Sequence, residues 1–389
     1  MTGARGGRSS LSAVRVLVIA GAIGLQVPGA GAQLQPRPAH EPIVRRLDAR
    51  FDRLVPAGAV FEKIADGHGW TEGPVWVRDG GYLLFSDVVE NTVFRWKQGD
   101  GETAFLRPSG YTGAAPFTGK EPGSNGLAID PQGRLVFCQH GDRRISRREP
   151  DGRLTVLADR FEGKRLNSPN DLVFKSNGDL YFTDPPFGLP HAFDDTAKEV
   201  PFQGVYRRAT DGTLTLLTRE LSAPNGIAFS PDERTLYVSN ADRERLVWMA
   251  FDVEGDGTLG RSRVLYDGTR SLADRRGTAD GLKVDADGNI FGAGPGGVYV
   301  FAPDGAMLGW FDFGGNVGNV AWGEDGSSLF IAANAVVYRI RLATRGAGWA
   351  RPQGHPALGA GREPFSGPSH SSSQLPFPAG SLAWPTHAP

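Results

Sequence analysis

The chain has 389 residues, one cysteine and a formal net charge of −1 at pH 7. A near-neutral charge gives no reason to expect nucleic acid or an anionic membrane as a partner. A single cysteine excludes an internal disulfide framework and, with few histidines outside the terminal segments, disfavours a zinc centre built from Cys and His.

The first 32 residues have the pattern of a secretory signal peptide. Three arginines precede the apolar run 16–25, and Ala30-Gly-Ala32 matches a small-residue cleavage site. A buried N-terminal helix is the alternative. No stretch approaches the ~18 apolar residues that a membrane span needs. We therefore predict cleavage near Ala32, an exported protein that is periplasmic or secreted, a linker over residues 33–57, and no membrane domain.

Residues 58–345 repeat one pattern six times. Each copy has a marker residue, an apolar run, a turn with Asp, Asn or Gly, and a second apolar run 10 or 11 residues after the marker. The six markers are Glu72, Asn125, Asn170, Asn225, Asp280 and Gly318. Third strands follow in all six copies and fourth strands in five, and residues 59–64 can supply the fourth strand of the sixth. We predict an all-β protein with one domain, a six-bladed β-propeller whose ring is closed by this segment. An open solenoid is the alternative, but we identify no capping repeats.

The third copy is a β-hairpin in which two apolar runs flank a short polar turn. Asn170 and Asp171 precede its first strand, and Asp184 follows its second. Since the start of one antiparallel strand lies beside the end of the next, these three residues are expected on one rim. His140 and Asp87 follow the second strands of the second and first copies, and we expect them at the same rim. For His140, a hydrogen-bonded loop residue and a role in substrate binding or proton transfer remain alternatives.

Five of the six markers carry a side-chain oxygen. The innermost strand of each propeller blade lines the central channel, so these five oxygens should converge on one axis. Two carboxylates and three amides suit a hard divalent cation, and calcium best. Gly318 breaks the ring and is expected to leave room for substrate or water. Asn and Asp can instead satisfy backbone groups in turns, but five equivalent positions favour a metal site.

Residues 346–389 are rich in Pro, Gly, Ser and Ala and lack periodicity. This composition is typical of a disordered tail.

Five motifs together resemble the gluconolactonase branch of the senescence-marker-protein (regucalcin)/gluconolactonase superfamily. They are Glu72-Gly-Pro, Asn167-Ser-Pro-Asn-Asp171, Thr183-Asp-Pro-Pro-Phe-Gly188, Pro224-Asn-Gly226 and Asp280-Gly281. The resemblance covers residues 58–344. It implies a six-bladed propeller with one catalytic divalent cation in the channel, usually calcium and sometimes zinc, magnesium or manganese. It also implies metal ligands at Glu72, Asn170, Asn225 and Asp280, substrate contact near Asn125, and acid–base roles near Asp171 or Asp280.

The expected function is metal-dependent hydrolysis of a small-molecule sugar lactone by water. Asp171 and Asp280 are the catalytic candidates, and Asn125, His140 and Asp184 are the candidates for substrate binding. Two alternatives remain. The same site could act on another ester, a phosphotriester or a modified sugar, or the propeller could bind a sugar or a protein without catalysis.

Overall fold

The protein is described by a computed structural model that covers Met1 and residues 40–349. The predicted signal peptide and nearly all of the predicted tail lie outside the described residues. Within the described part, three short 3₁₀ helices (Ala49–Arg53, Ala192–Asp194 and Arg243–Arg245) interrupt an otherwise all-β chain. Among these residues, no helix has the length and hydropathy needed to cross a membrane.

Two strands precede the repeats, β1 (Ile43–Arg46) and β2 (Phe61–Asp66). Blade one contains β3 (Thr71–Val77), β4 (Tyr82–Asp87), β5 (Thr92–Lys97) and β6 (Gly101–Leu106). Blade two contains β7 (Ser124–Ile129), β8 (Leu135–Gln139), β9 (Arg144–Arg148) and β10 (Leu154–Ala158), and a small hairpin, β11 (Arg160–Phe161) and β12 (Lys164–Arg165), follows it. Blade three contains β13 (Leu172–Phe174), β14 (Leu180–Asp184), β15 (Gly204–Arg208) and β16 (Leu214–Thr218).

Blade four contains β17 (Pro224–Phe229), β18 (Thr235–Asn240), β19 (Val247–Val253) and β20 (Leu259–Asp267). Blade five contains β21 (Leu282–Val284), β22 (Ile290–Gly294), β23 (Gly297–Phe301) and β24 (Met307–Asp312). Blade six contains β25 (Asn319–Gly323), β26 (Ser328–Ala333) and β27 (Val336–Arg341), and β2 is its fourth strand.

The six blades form a closed ring. The first strand of each blade contacts the first strands of both neighbouring blades, from β3 through β25 and back to β3. Strand β2 pairs antiparallel with β27, with Phe61 opposite Ile340, so a segment from before the first blade completes the last. Closure in this way leaves few unpaired edges. The predicted six-bladed propeller and its closing segment are confirmed.

The hydrophobic core lies between neighbouring blades. Trp248 of blade four is fully buried against Phe301 of blade five, with ring centroids 5.1 Å apart. Phe291 of blade five meets Trp322 of blade six edge to face, with centroids 5.0 Å apart. Burial of such large rings is the main favourable term in folding. Because every blade packs on two neighbours, the inner strands and their side chains are held rigidly around the channel.

The segment that the sequence assigned to a linker is partly built into the propeller. Strand β1 pairs with β24 as a fifth strand of blade five, with Val44 opposite Phe311. Phe51 and Val55, which follow it, are fully buried in the core. The physical reason is that β24 would otherwise present an unpaired edge. The described residues also continue past the predicted domain end, since Gly346 forms a β-bridge with Asp285.

Candidate functional site

The marker residues meet in a cavity at one mouth of the central channel. The cavity has a volume of about 350 Å³. Its lining includes the five oxygen-bearing markers Glu72, Asn125, Asn170, Asn225 and Asp280. It also includes Trp70, Glu121, Phe187, Thr278, Asn316 and Val317. The structure therefore brings together residues that are more than 200 positions apart in sequence.

Hydrogen bonds between neighbouring blades fix the markers in place. At each of the six junctions, one blade donates a hydrogen bond to a backbone carbonyl of the neighbouring blade. The donor is either a serine or threonine hydroxyl group or a backbone N–H. Five of these acceptors are the marker carbonyls themselves. The bonds are Ser86 Oγ to Asn125 O (2.9 Å), Gly126 N to Asn170 O (2.7 Å), Thr183 Oγ1 to Asn225 O (2.7 Å), Ser239 Oγ to Asp280 O (2.8 Å), Gly281 N to Gly318 O (2.8 Å) and Thr71 Oγ1 to Asn334 O (2.9 Å). A site preorganised in this way needs little rearrangement to bind a ligand.

Glu72 is held by the indole of Trp70 and by its own turn. Trp70 Nε1 donates to Oε1 of Glu72 (3.2 Å), and Gly73 N donates to Oε2 (3.1 Å). The carboxyl group lies beside Gly318, where an added Cβ would stand 2.4 Å from Oε1. The glycine was expected to leave room for substrate or water. The structure corrects this, because the side chain of Glu72 fills the space.

Both carboxyl groups of the marker ring have a raised pKa, chiefly because they are buried. Burial is the largest cause for Asp280, whose pKa lies well above its ordinary value, and the nearby Glu72 raises it further. Burial likewise raises the pKa of Glu72, and the charges of Asp171 and Glu121 add to the shift. Anions crowded together in a buried site either share protons or bind a cation.

The amide markers present oxygens that lack partners. Among the described residues, Oδ1 of Asn125 and Oδ1 of Asn225 are buried and have no hydrogen-bond partner. Leaving such atoms unpaired is costly, so each such oxygen suits a ligand donor or a cation. Within residues 40–349, no three His, Cys, Asp or Glu side chains are placed to hold a metal ion. A cation site here would therefore depend on amide oxygens, which hard cations such as calcium accept. The carboxylate and amide oxygens of this cavity therefore fit a hard divalent cation.

His140 orients the third amide from behind the cavity. It is fully buried, its Nδ1 lies 3.0 Å from Oε2 of Glu121, and its Nε2 lies 3.5 Å from Nδ2 of Asn170. A carboxylate beside Nδ1 favours the proton on that nitrogen, so Nε2 accepts from the amide. The contact turns the nitrogen of Asn170 toward His140 and leaves its oxygen available. His140 thus positions a cavity residue and is not itself part of the cavity lining.

Asp171 lies below the cavity rather than in its wall. Its side chain is 1% exposed, and its Oδ2 accepts from Nδ2 of Asn319 (3.3 Å). Its Oδ1 accepts from the N–H of Leu172 (2.9 Å). Asp171 does not line the cavity, and its contacts place its carboxylate with the channel residues beneath it. Its role as a base stays a prediction.

Asp184 and Asp87 serve the loops that carry the site. The fully buried carboxylate of Asp184 accepts from the N–H groups of Asn167 and Ser168, both at 2.8 Å. In blade one, Asp87 accepts in the same way from Gly69 (2.8 Å) and Trp70 (3.3 Å). Both carboxylates hold the turn that precedes a marker. The contacts of Asp184 in the structure are those of a positioning residue, and its contact with substrate stays a prediction.

The repeated sequence pattern does not predict Glu121 or Trp70 as cavity residues. Glu121 lies in the long loop between β6 and β7 (residues 107–123), outside the four strands that the copies share. A repeat alignment has no information about such a loop. Trp70 lies two residues before a marker, at a position where no other copy has an aromatic residue. The sequence feature that points to Trp70 is its position two residues before Glu72.

Comparison with known proteins identifies relatives over the whole propeller. Residues 70–335 match the family model described as the SMP-30/Gluconolactonase/LRE-like region. A gluconolactonase of Zymomonas mobilis is 41% identical over 312 residues, which cover 78% of this chain and 87% of the relative. A pentonolactonase of Haloferax volcanii is 30% identical over 244 residues, 62% of this chain and 72% of the relative. A solved gluconolactonase structure from Xanthomonas campestris is 32% identical with a TM-score of 0.67, and the match covers 79% of this chain and 98% of that one.

Proposed function

The chain belongs to the SMP-30/gluconolactonase/LRE-like family, and on that premise we propose that it is an enzyme that hydrolyses a sugar lactone with the help of one divalent cation. The observation that carries the proposal is the donor set of the cavity. The buried carboxylates of Glu72 and Asp280 converge there with two amide markers. These are Asn225, whose Oδ1 has no partner among the described residues, and Asn170, whose amide nitrogen is turned toward His140.

The cation would be held by Glu72, Asn170, Asn225 and Asp280. When bound, a divalent cation polarises a carbonyl oxygen and stabilises the negative charge that develops on it. The carboxylate and amide oxygens favour Ca²⁺ over Zn²⁺, which prefers nitrogen and sulfur, and over Mg²⁺, which demands stricter geometry. The alternative cations are Zn²⁺, Mg²⁺ and Mn²⁺, and titration compares their affinities with that of Ca²⁺.

Residues on the cavity wall would bind and orient the sugar. The Oδ1 of Asn125 has no hydrogen-bond partner among the described residues, so it can accept a hydrogen bond from a substrate hydroxyl group. The carboxylate of Glu121 is about one-third exposed in the cavity, and its Oε2 is fixed by His140. A carboxylate accepts hydrogen bonds from hydroxyl groups and discriminates against analogues that lack them. A volume of about 350 Å³ suits a substrate the size of one sugar ring.

Asp280 is the residue that we assign to proton transfer. Its Oδ1 accepts from the N–H of Gly281 (3.0 Å), so Oδ2 is the oxygen assigned to take a proton from the attacking water. Without a cation, burial and the nearby Glu72 raise the pKa of this carboxyl group. A bound divalent cation would favour the ionised form, which is the form that can accept the proton. The second half of the reaction returns the proton to the ring oxygen as the carbon–oxygen bond opens, and the product acid releases one proton to solution.

A pH-stat assay tests the proposal because ring opening releases acid. The purified protein is given glucono-1,5-lactone, a pentonolactone, an aryl ester and a phosphotriester, and the spontaneous rate is subtracted. We expect lactone hydrolysis that stops with EDTA and returns with Ca²⁺, and that Asp280→Asn abolishes. Full activity in the presence of EDTA would overturn the role of the cation, and full activity of a folded Asp280→Asn variant would overturn the assignment of proton transfer to Asp280. Hydrolysis of the phosphotriester alone would replace the substrate, and no turnover with tight Ca²⁺ binding would indicate a binding protein.

We also propose that the chain is exported, on the basis of its first 32 residues. Amino-terminal sequencing of the mature protein tests this. We expect a start near Gln33, whereas an intact start at Met1 in a cytoplasmic fraction would contradict export.

A further inference from the structure

Two polar side chains fill the channel directly below the cavity. The residue after the marker is glycine in four blades, whereas blade three has Asp171 and blade six has Asn319. Steric crowding explains why four blades have glycine at this position. A Cβ on Gly281 would stand 1.9 Å from Cγ of Asn319, and a Cβ on Gly126 would stand 2.8 Å from Oδ1 of Asp171. Asp171 and Asn319 come from opposite sides of the ring and meet at 3.3 Å.

A lysine approaches this pair from the opposite mouth of the channel. Three residues after the marker, five blades have a small apolar residue and blade five has Lys283. The five are Val75, Ala128, Val173, Ala228 and Ala321. Lys283, Val75, Ala128 and Val173 all line a second cavity. The Nζ of Lys283 lies 3.0 Å from the carbonyl oxygen of Leu282, 3.5 Å from Oδ1 of Asn319 and 3.7 Å from Oδ2 of Asp171.

The charges explain why a lysine is needed at this position. Asp171 is 1% exposed and directly follows the candidate ligand Asn170. A buried carboxylate without a counter-charge is costly. It would also add negative potential beneath a site that already contains Glu72 and Asp280. The side chain of Lys283 is three-quarters buried, so solvent screens its attraction to Asp171 less than at the surface.

We propose that Lys283, Asp171 and Asn319 form a charge-balanced plug that closes the channel, and that Lys283 is a positioning residue which sets the cation affinity of the site above. The effect of Lys283 on cation affinity rests on the proposed cation function. The plug itself is a feature of the folded protein without a cation. Asp171, predicted from sequence to be a base, is in this account the negative partner of Lys283.

Unfolding in urea tests the plug without any cation. The full chain is measured in EDTA as wild type, Lys283→Met, Asp171→Asn and the double variant. We expect each single change to destabilise the protein and the double variant to be more stable than the sum of the single effects predicts. Additive effects would overturn the pairing. If Lys283→Met does not fold, Lys283→Gln takes its place in the same cycle.

Calorimetric titration with Ca²⁺ tests the effect on the site. Because like charges repel, removing the positive charge of Lys283 should tighten Ca²⁺ binding in Lys283→Met by about five- to tenfold, the size expected for one unit charge acting on a divalent ion through a largely screened medium. Asp171→Asn should weaken binding by a similar factor, and the double variant should return close to wild type. Lys63→Met removes an exposed charge and serves as the matched control.

Opposite shifts in the two single variants distinguish an electrostatic role from simple packing. Loss of affinity in both would overturn the proposal that Lys283 sets cation affinity, because a packing defect weakens binding whichever residue is changed. If the wild type binds no Ca²⁺ but the urea cycle shows coupling, the cation function fails and the plug stands. The two failures are therefore separable.

Discussion

The carboxyl group of Glu72 occupies the space where a side chain on Gly318 of the neighbouring blade would stand. A Cβ added to Gly318 would lie 2.4 Å from Oε1 and 2.7 Å from Cδ of Glu72. Glutamate is one methylene longer than the aspartate that marks blade five. The longer side chain of blade one and the missing side chain of blade six therefore form one complementary unit.

Gly318→Ala should displace the Glu72 carboxylate and damage the site while the propeller still folds. Since a misplacement of about 1 Å can cost ~100-fold in rate, we expect kcat/KM for the lactone to fall by about 10- to 100-fold. Calcium affinity should fall with it. The measurements are pH-stat kinetics and calorimetry. Gly255→Ala is the matched control, because an added Cβ there meets no described atom within 4 Å. Equal activity of the two variants would contradict this relationship.

Six copies of one short pattern were enough to predict the blades and the ring closure. Strand β1 was missed because it has only four residues, Ile-Val-Arg-Arg, and lies outside the repeated pattern. Its partner is an edge that only the assembled fold creates. Within the site, the repeat gave the position of each marker along its strand. It could not give the direction of the next side chain, so Asp171 was assigned to the cavity although it lies in the layer below.

Glu121→Gln should change substrate selectivity more than catalysis. The carboxylate accepts hydroxyl hydrogen bonds in the proposed complex, and the amide replaces one acceptor with a donor. We expect KM for glucono-1,5-lactone to rise by about tenfold, with little change in kcat. An unsubstituted δ-lactone, which has no hydroxyls, should show no change in either constant. Glu254→Gln, in an exposed turn, is the control variant. A uniform loss on both substrates would indicate that Glu121 supports His140 and does not bind the sugar.

His68 should make stability depend on pH in the weakly alkaline range. Its ring lies 3.1 Å from Oε2 of Glu102 and 3.4 Å from Oδ2 of Asp87. Burial lowers the pKa of His68, but hydrogen bonds to Asp87 and Glu102 outweigh it and raise the pKa to about 9. The folded pKa thus exceeds the unfolded value of about 6.5. The protonated ring therefore contributes its full stability below about pH 6.5, and this contribution is lost as the pH rises through about 9.

The measurement is urea unfolding of wild type and His68→Gln between pH 6 and pH 10, in EDTA throughout. We expect the stability advantage of the wild type to shrink by on the order of 3 kcal/mol across this range. His191→Gln, at an exposed position, should follow the wild type at every pH. An advantage that stays constant with pH would show that His68 contributes packing alone.

Phe51→Ala should show that the segment before the first blade is part of the folded domain. Phe51 is fully buried, and its ring centroid lies 6.0 Å from that of Phe311 in the outermost repeat strand of blade five. Removing a buried phenylalanine side chain leaves a cavity and costs about 3–5 kcal/mol. Urea unfolding should register this loss, whereas Val60→Ala, at a 75% exposed position, should change stability little. Since no described residue of segment 43–55 lines the catalytic cavity, kcat/KM of folded Phe51→Ala should equal that of wild type. If Phe51→Ala were as stable as Val60→Ala, the segment would be a passive linker, as the sequence first indicated.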